Sequence, residues 1–155
     1  MEVRAKKALG QHFLTDQRIA RAIVDALRIP GQAGNDGKDA PAGHLLDRKD
    51  APAGHLLDVL EIGPGMGVLT QYLLQREDID LKLVEIDGES VEYLLTHFPG
   101  MQGRLMQADF LNLHLEKIFP ERFSVIGNFP YNISSQIFFK ILDYRERIPE
   151  VVCMI

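Results

Sequence analysis

From Asp58 onward, short apolar runs rich in Val, Ile and Leu alternate with stretches of helical periodicity. No other pattern in the chain constrains its fold as strongly. Strand-like runs fall at 58–62, 81–86, 104–108, 123–127 and 151–155. Helical stretches follow the glycine-rich turn 63–67 to about Arg76, then span 88–97 and 133–143. The alternation predicts an α/β protein with a doubly wound, mostly parallel sheet, because a parallel neighbour is reached only through a crossover and the crossover helices cover the faces. Ahead of the sheet, Thr15 or Asp16 is expected to cap a helix running to about Ile29. Its apolar face would hold Ile19, Ile23, Ala26 and Leu27, and Pro30 would stop it.

Between that helix and the first strand lies a Gly/Asp/Ala/Pro-rich tract in which "KDAPAGHLLD" occurs at 38–47 and again at 49–58. Two copies are too few for a solenoid. His44 and His55 lack the cysteines or carboxylates that would complete a metal site, so no metal is expected. A loop insertion over 31–56 is the expectation. The chain ends on the apolar strand "VVCMI", which is read as a domain left incomplete, truncated after its fifth strand.

With 155 residues, 46% hydrophobic and 25% charged, the composition fits one globular domain. The single cysteine, Cys153, excludes an intrachain disulfide and fits a reducing, cytoplasmic setting. No apolar stretch approaches the ~20 residues of a membrane span, and no signal-peptide core opens the chain. The net charge of −5 weighs mildly against a nucleic-acid surface, but residues 1–30 hold six Lys/Arg against three acids. That basic end has two readings, a binding patch or a solvated helix face.

Four short stretches carry chemistry. In "EIGPGMGVLT" (61–70), glycines at 63, 65 and 67 stand between a strand and a helix, where a backbone without Cβ atoms lets a ligand approach. The G-x-G-x-G spacing departs from the G-x-G-x-x-G of dinucleotide binding and fits a cofactor without phosphates but with an amino-acid tail. Glu85, at the end of the second strand in "VEID", stands where a carboxylate can take the hydroxyls of a ribose. Asp87 is as readily a helix cap. Asp109, after the third strand in "ADF", would share the same sheet edge, where a carboxylate can accept from an exocyclic amine or simply serve its loop. In "GNFPYNISSQ" (127–136) an amide, an aromatic, a proline and a second aromatic lie where a strand hands over to a helix.

Together these stretches resemble the S-adenosylmethionine-dependent methyltransferases with a Rossmann-like sheet, and "NFPY" matches the motif of those that methylate the exocyclic amine of adenine. "KKALGQHFL" (6–14), "EIGPGMGVLT" and "GNFPYNISSQI" narrow the resemblance to the ribosomal RNA adenine N6,N6-dimethyltransferase family acting on small-subunit RNA. The resemblance implies S-adenosylmethionine as cofactor, bound by Gln11, His12, Leu14, Gly63, Gly65, Glu85, Asp109 and Asn128. It implies Asn128, Phe129, Pro130 and Tyr131 as the catalytic motif, and a ribosomal RNA partner in a small-subunit assembly particle. A monomer and a helical RNA-binding domain beyond residue 155 are also implied. In this reading the Asn128 side-chain carbonyl and the Phe129 backbone carbonyl accept from the adenine amine, Pro130 holds Phe129 out of the helical region, and Tyr131 stacks on the splayed-out base. The alternatives are a resistance-type large-subunit RNA methylase, a DNA adenine methyltransferase, or a nucleic-acid-binding assembly or transcription factor on the same fold. A NAD-dependent oxidoreductase is disfavoured by the glycine spacing.

Overall fold

A computed structural model of the chain describes residues 14–28 and 56–155. Among them are five strands: β1 (Leu57–Ile62), β2 (Ile79–Glu85), β3 (Leu105–Gln107), β4 (Ser124–Asn128) and β5 (Val151–Met154). All pair in parallel, in the order β3-β2-β1-β4-β5. Five helices accompany them: α1 (Gln17–Ala26), α2 (Thr70–Leu73), α3 (Gly88–His97), α4 (Leu115–Ile118) and α5 (Ser134–Asp143). The chain thus has the doubly wound α/β architecture that the alternation predicts. Gln11, His12 and the expected insertion, up to His55, lie outside the described residues.

Side chains alternate across β1, so the sheet has two cores. Val59 packs with α1, α2 and the β2 residues Leu81 and Leu83 on one face. Leu60 and Ile62 pack with Val84, Val125, Phe129 and the α5 residues Ile137 and Ile141 on the other. Burial on both faces is why Val59-Leu60 in β1 and Val125-Ile126 in β4 are consecutive apolar residues rather than alternating with polar ones.

Asp16 caps α1, accepting from the Arg18 N–H at 2.9 Å. The helix is shorter than expected, and its buried face overlaps the expected one only in part: Leu27 is buried and Ile23 is partly buried against the core. Ala20, Val24 and Leu27 are its buried stripe, whereas Ile19 is 44% exposed and Ala26 is also exposed. The helix packs against α2 and β5, and Ala20 and Val24 join the core there. Arg76 then fixes the end of α1. It donates to the last carbonyls, Val24 O at 3.0 Å and Leu27 O at 2.9 Å, while Asp78 holds it at 2.7 Å.

The helix expected to reach Arg76 is α2, only four residues long. The path continues as i→i−3 turns, Gln75 N–H to Tyr72 O and Arg76 N–H to Leu73 O, too tight to count as α-helix. α3 occupies the expected span, capped by Asp87 through Ser90 N–H at 3.0 Å. Of the loop glycines, Gly67 is needed for packing. Its φ is +80°, and a Cβ there would stand 2.4 Å from Cε2 of Phe98. Gly67→Ala is expected to cost about 1–2 kcal/mol of stability, read as a lowered denaturant midpoint at unchanged m; an unchanged midpoint would overturn this account.

Candidate active site

Strand register assembles the site. Ile62 of β1 stands opposite Val84 of β2 on one side and Gly127 of β4 on the other. The next residues along these strands, Gly63, Glu85 and Asn128, therefore leave the sheet side by side at its carboxyl edge. Val84 also stands opposite Met106 of β3, which leads into Asp109. The order β2-β1-β4 reverses at β1, the switch point where open parallel sheets leave a crevice. A cavity of about 280 Å³ lies there, and Leu14, Gly63, Gly65, Glu85, Asp109 and Asn128 all line it.

The glycine turn forms a cradle. Gly63 and Gly65 have φ of +65° and +56°, and nothing lies within 4 Å of a Cβ built on either. The backbone conformation favours glycine, and the space above it is open to a ligand. The Gly63 N–H donates to Val84 O at 2.9 Å, which joins the turn to β2. Glu85 is 3% exposed, not the exposed strand-end carboxylate that its position also allowed. One carboxylate oxygen accepts from the Gly65 N–H at 3.0 Å and the other from the Asp87 N–H at 3.1 Å. Burial raises its pKa above the usual carboxylate value, and the two N–H donors oppose that shift. Both oxygens keep lone pairs for further donors.

Asp109 serves its loop and lines the cavity at once. Its side chain accepts from the Leu111 N–H at 3.0 Å and from the Asn112 amide at 3.1 Å, capping a single 3₁₀ turn over Phe110–Asn112. Asn128 and Pro130 face the cavity. Phe129 is buried beneath it, its N–H donating to Met154 O at 2.9 Å and its ring edge-on to Phe138. Tyr131 is 59% exposed and does not line the cavity.

Glu61 and Ile86 also line the cavity, and neither is among the residues nominated from the sequence. Glu61, two residues before the first glycine of the turn, is 1% exposed and accepts from the Thr70 hydroxyl at 2.7 Å. Burial first, with the Glu85 charge adding to it against the Thr70 hydrogen bond, pushes its pKa up to about 8. An acid set between the apolar Leu60 and Ile62 in "DVLEI" was the signal available. Ile86, directly after Glu85, lines the cavity with 55% of its surface exposed and offers an apolar face to a flat group. Open backbone, a buried carboxylate with free lone pairs and an apolar face suit a nucleoside joined to a short polar tail.

The chain matches the family model described as ribosomal RNA adenine dimethylase over residues 2–155. It is 50% identical over 153 residues to ribosomal RNA small subunit methyltransferase A of Cytophaga hutchinsonii, covering 99% of this chain and 50% of that one. It is 52% identical over 147 residues to the protein of the same name from Parabacteroides distasonis, covering 95% and 46%. The chain thus spans about half the length of the curated relatives it matches. Among solved structures it resembles the 23S rRNA methyltransferase ErmE with a TM-score of 0.61 and 27% identity, over 88% of this chain and 45% of that one. A dimethyladenosine transferase from Plasmodium falciparum shares the fold, with a TM-score of 0.55 and 23% identity over 88% and 40%.

Proposed function

The chain belongs to the ribosomal RNA adenine dimethylase family, and from that premise we propose that it forms the catalytic part of an enzyme dimethylating N6 of two adjacent adenosines in small-subunit ribosomal RNA. The observation that carries this reading is the convergence of Gly63, Gly65, Glu85, Asp109 and Asn128 on one cavity. The relatives near 50% identity bear the small-subunit name. The large-subunit enzyme stands at 27%. That difference favours the small-subunit target over the resistance-type one.

S-adenosylmethionine, when bound, supplies the methyl group. In this reading Glu85 takes the ribose hydroxyls, Ile86 packs on the cofactor's base, and Asp109 accepts from its exocyclic amine. Gly63 and Gly65 leave room for the amino-acid tail beside Leu14, and the resemblance adds Gln11 and His12 to the residues that bind it. The target adenine needs different help, because its N6 lone pair is delocalised into the ring. The Asn128 side-chain carbonyl and the Phe129 backbone carbonyl accept from the two N6 hydrogens and localise that lone pair on nitrogen. Pro130 keeps Phe129 extended, so its carbonyl stays aimed. Tyr131, exposed and next in the chain to the cavity-lining Pro130 and Asn132, gives a flipped base a π-face. The remaining contribution is positioning. The RNA partner is a small-subunit assembly particle, and the setting is the cytoplasm; among the described residues no helix is long and apolar enough to cross a membrane.

Calorimetry on the full-length protein tests the cofactor. S-adenosylmethionine or its demethylated product is expected to bind and NAD to fail. Glu85→Ala is expected to weaken binding by about 1–3 kcal/mol, the cost of unpaired ribose hydroxyls together with a slackened Gly65 turn. NAD binding in place of S-adenosylmethionine would overturn the reading.

A further inference from the structure

Lys140 lies on α5, the helix that follows the NFPY motif, and reaches across to the loop after β3. Its ammonium donates to the backbone carbonyls of Phe110 and Leu113, each at 2.5 Å, and stands 5.0 Å from the centroid of the Phe110 ring. Those carbonyls bracket the 3₁₀ turn whose cap is Asp109. A partly buried ammonium gives up hydration, and burial lowers the Lys140 pKa below the usual value, while the charges of Asp109 and Glu116 oppose that shift. Two carbonyl acceptors and an aromatic face replace the lost water. The turn itself is one short 3₁₀ segment, a poor scaffold on its own for aiming a carboxylate.

We propose that Lys140 is a positioning residue for cofactor recognition: by clamping the Phe110–Leu113 turn from α5, it holds Asp109 at the angle from which the carboxylate meets the cofactor's base. The proposal rests on the reading of Asp109 given above. It also makes α5 a physical link between the two halves of the site, since the same helix leads out of Asn128–Tyr131. A lysine that merely stabilised the fold would act independently of Asp109, whereas a lysine that works through Asp109 cannot.

A double-mutant cycle on the full-length protein separates these roles, with S-adenosylhomocysteine affinity and melting temperature read on the same samples. Lys140→Met keeps the apolar stem and removes the donor. It is expected to raise the dissociation constant about 10-fold, and to raise KM for S-adenosylmethionine with kcat at saturation changed less than about 3-fold. In an Asp109→Ala background the same substitution is expected to add less than about 2-fold, although its effect on melting temperature persists. Lys140→Arg, which keeps charge and donors, is expected to recover most of the affinity. An equal loss of affinity in both backgrounds, or none in either, would overturn the proposal. Unchanged affinity in Asp109→Ala alone would instead remove the reading of Asp109, and the Lys140 role with it. Should Lys140→Met fail to fold, Lys140→Gln, neutral but still a donor, carries the same cycle.

Discussion

Asn128→Ala in the full-length protein is expected to slow methyl transfer to a small-subunit RNA particle at least ~100-fold, the scale of losing one preorganised polar group at a reacting centre. Asn128 leaves the sheet beside Gly63, because Gly127 and Ile62 are paired in register. The substitution removes the side-chain carbonyl and leaves the Gly63–Glu85–Asp109 side of the cavity standing. Affinity for S-adenosylmethionine should therefore shift by less than about 3-fold, because the amide stabilises the transition state more than the ground state. Single-turnover transfer of labelled methyl groups, with calorimetry on the same samples, reads both quantities. Tyr131→Ala should also slow transfer, and Tyr131→Phe only mildly, because the exposed π-face survives the loss of the hydroxyl. Near-normal transfer by Asn128→Ala would refute its role and move a cofactor-binding assembly factor to first place.

The second large effect is a pH dependence of stability. Glu61 ionises near 4.5 when unfolded, but its burial raises this to about 8 in the fold. Across that window the native state keeps a proton that the unfolded state has lost. The stability contributed by Glu61 is therefore full below about 4.5 and is lost as pH rises towards about 8. Glu61→Gln preserves the shape and an acceptor for the Thr70 hydroxyl, and removes the titration. In mid-window the wild-type unfolding free energy should fall with pH more steeply than that of the variant, by up to ~1.4 kcal/mol per pH unit. Urea unfolding at intervals between about pH 5 and 8 measures both slopes. Parallel lines would mean that Glu61 is already ionised in the fold.

Much of this protein is legible in its residues alone. The strand–helix alternation leads to the doubly wound sheet, and the span 88–97 can be read to the residue because Asp87 and the apolar periodicity are local signals. The glycine turn and the NFPY motif can be read as chemistry for the same reason, since their residues are neighbours in the chain. The buried face of α1 cannot. Of the expected face Leu27 is buried and Ile23 partly so, but Ile19 and Ala26 are exposed. Ala20 and Val24 are buried in their place where α1 packs on α2 and β5, which is long-range information. The four-residue α4 and the 3₁₀ turns are equally silent, because a single turn is too short to show a period. Glu61 and Lys140 belong with them. An acid between apolar strand residues can be noticed, but nothing local says that it will be buried against Thr70, or that a helical lysine will find two carbonyls roughly thirty residues away. Glu85 and Asn128 can be nominated one by one. Their meeting with Gly63 follows from strand order and register, and these are set by long-range pairing in the folded sheet.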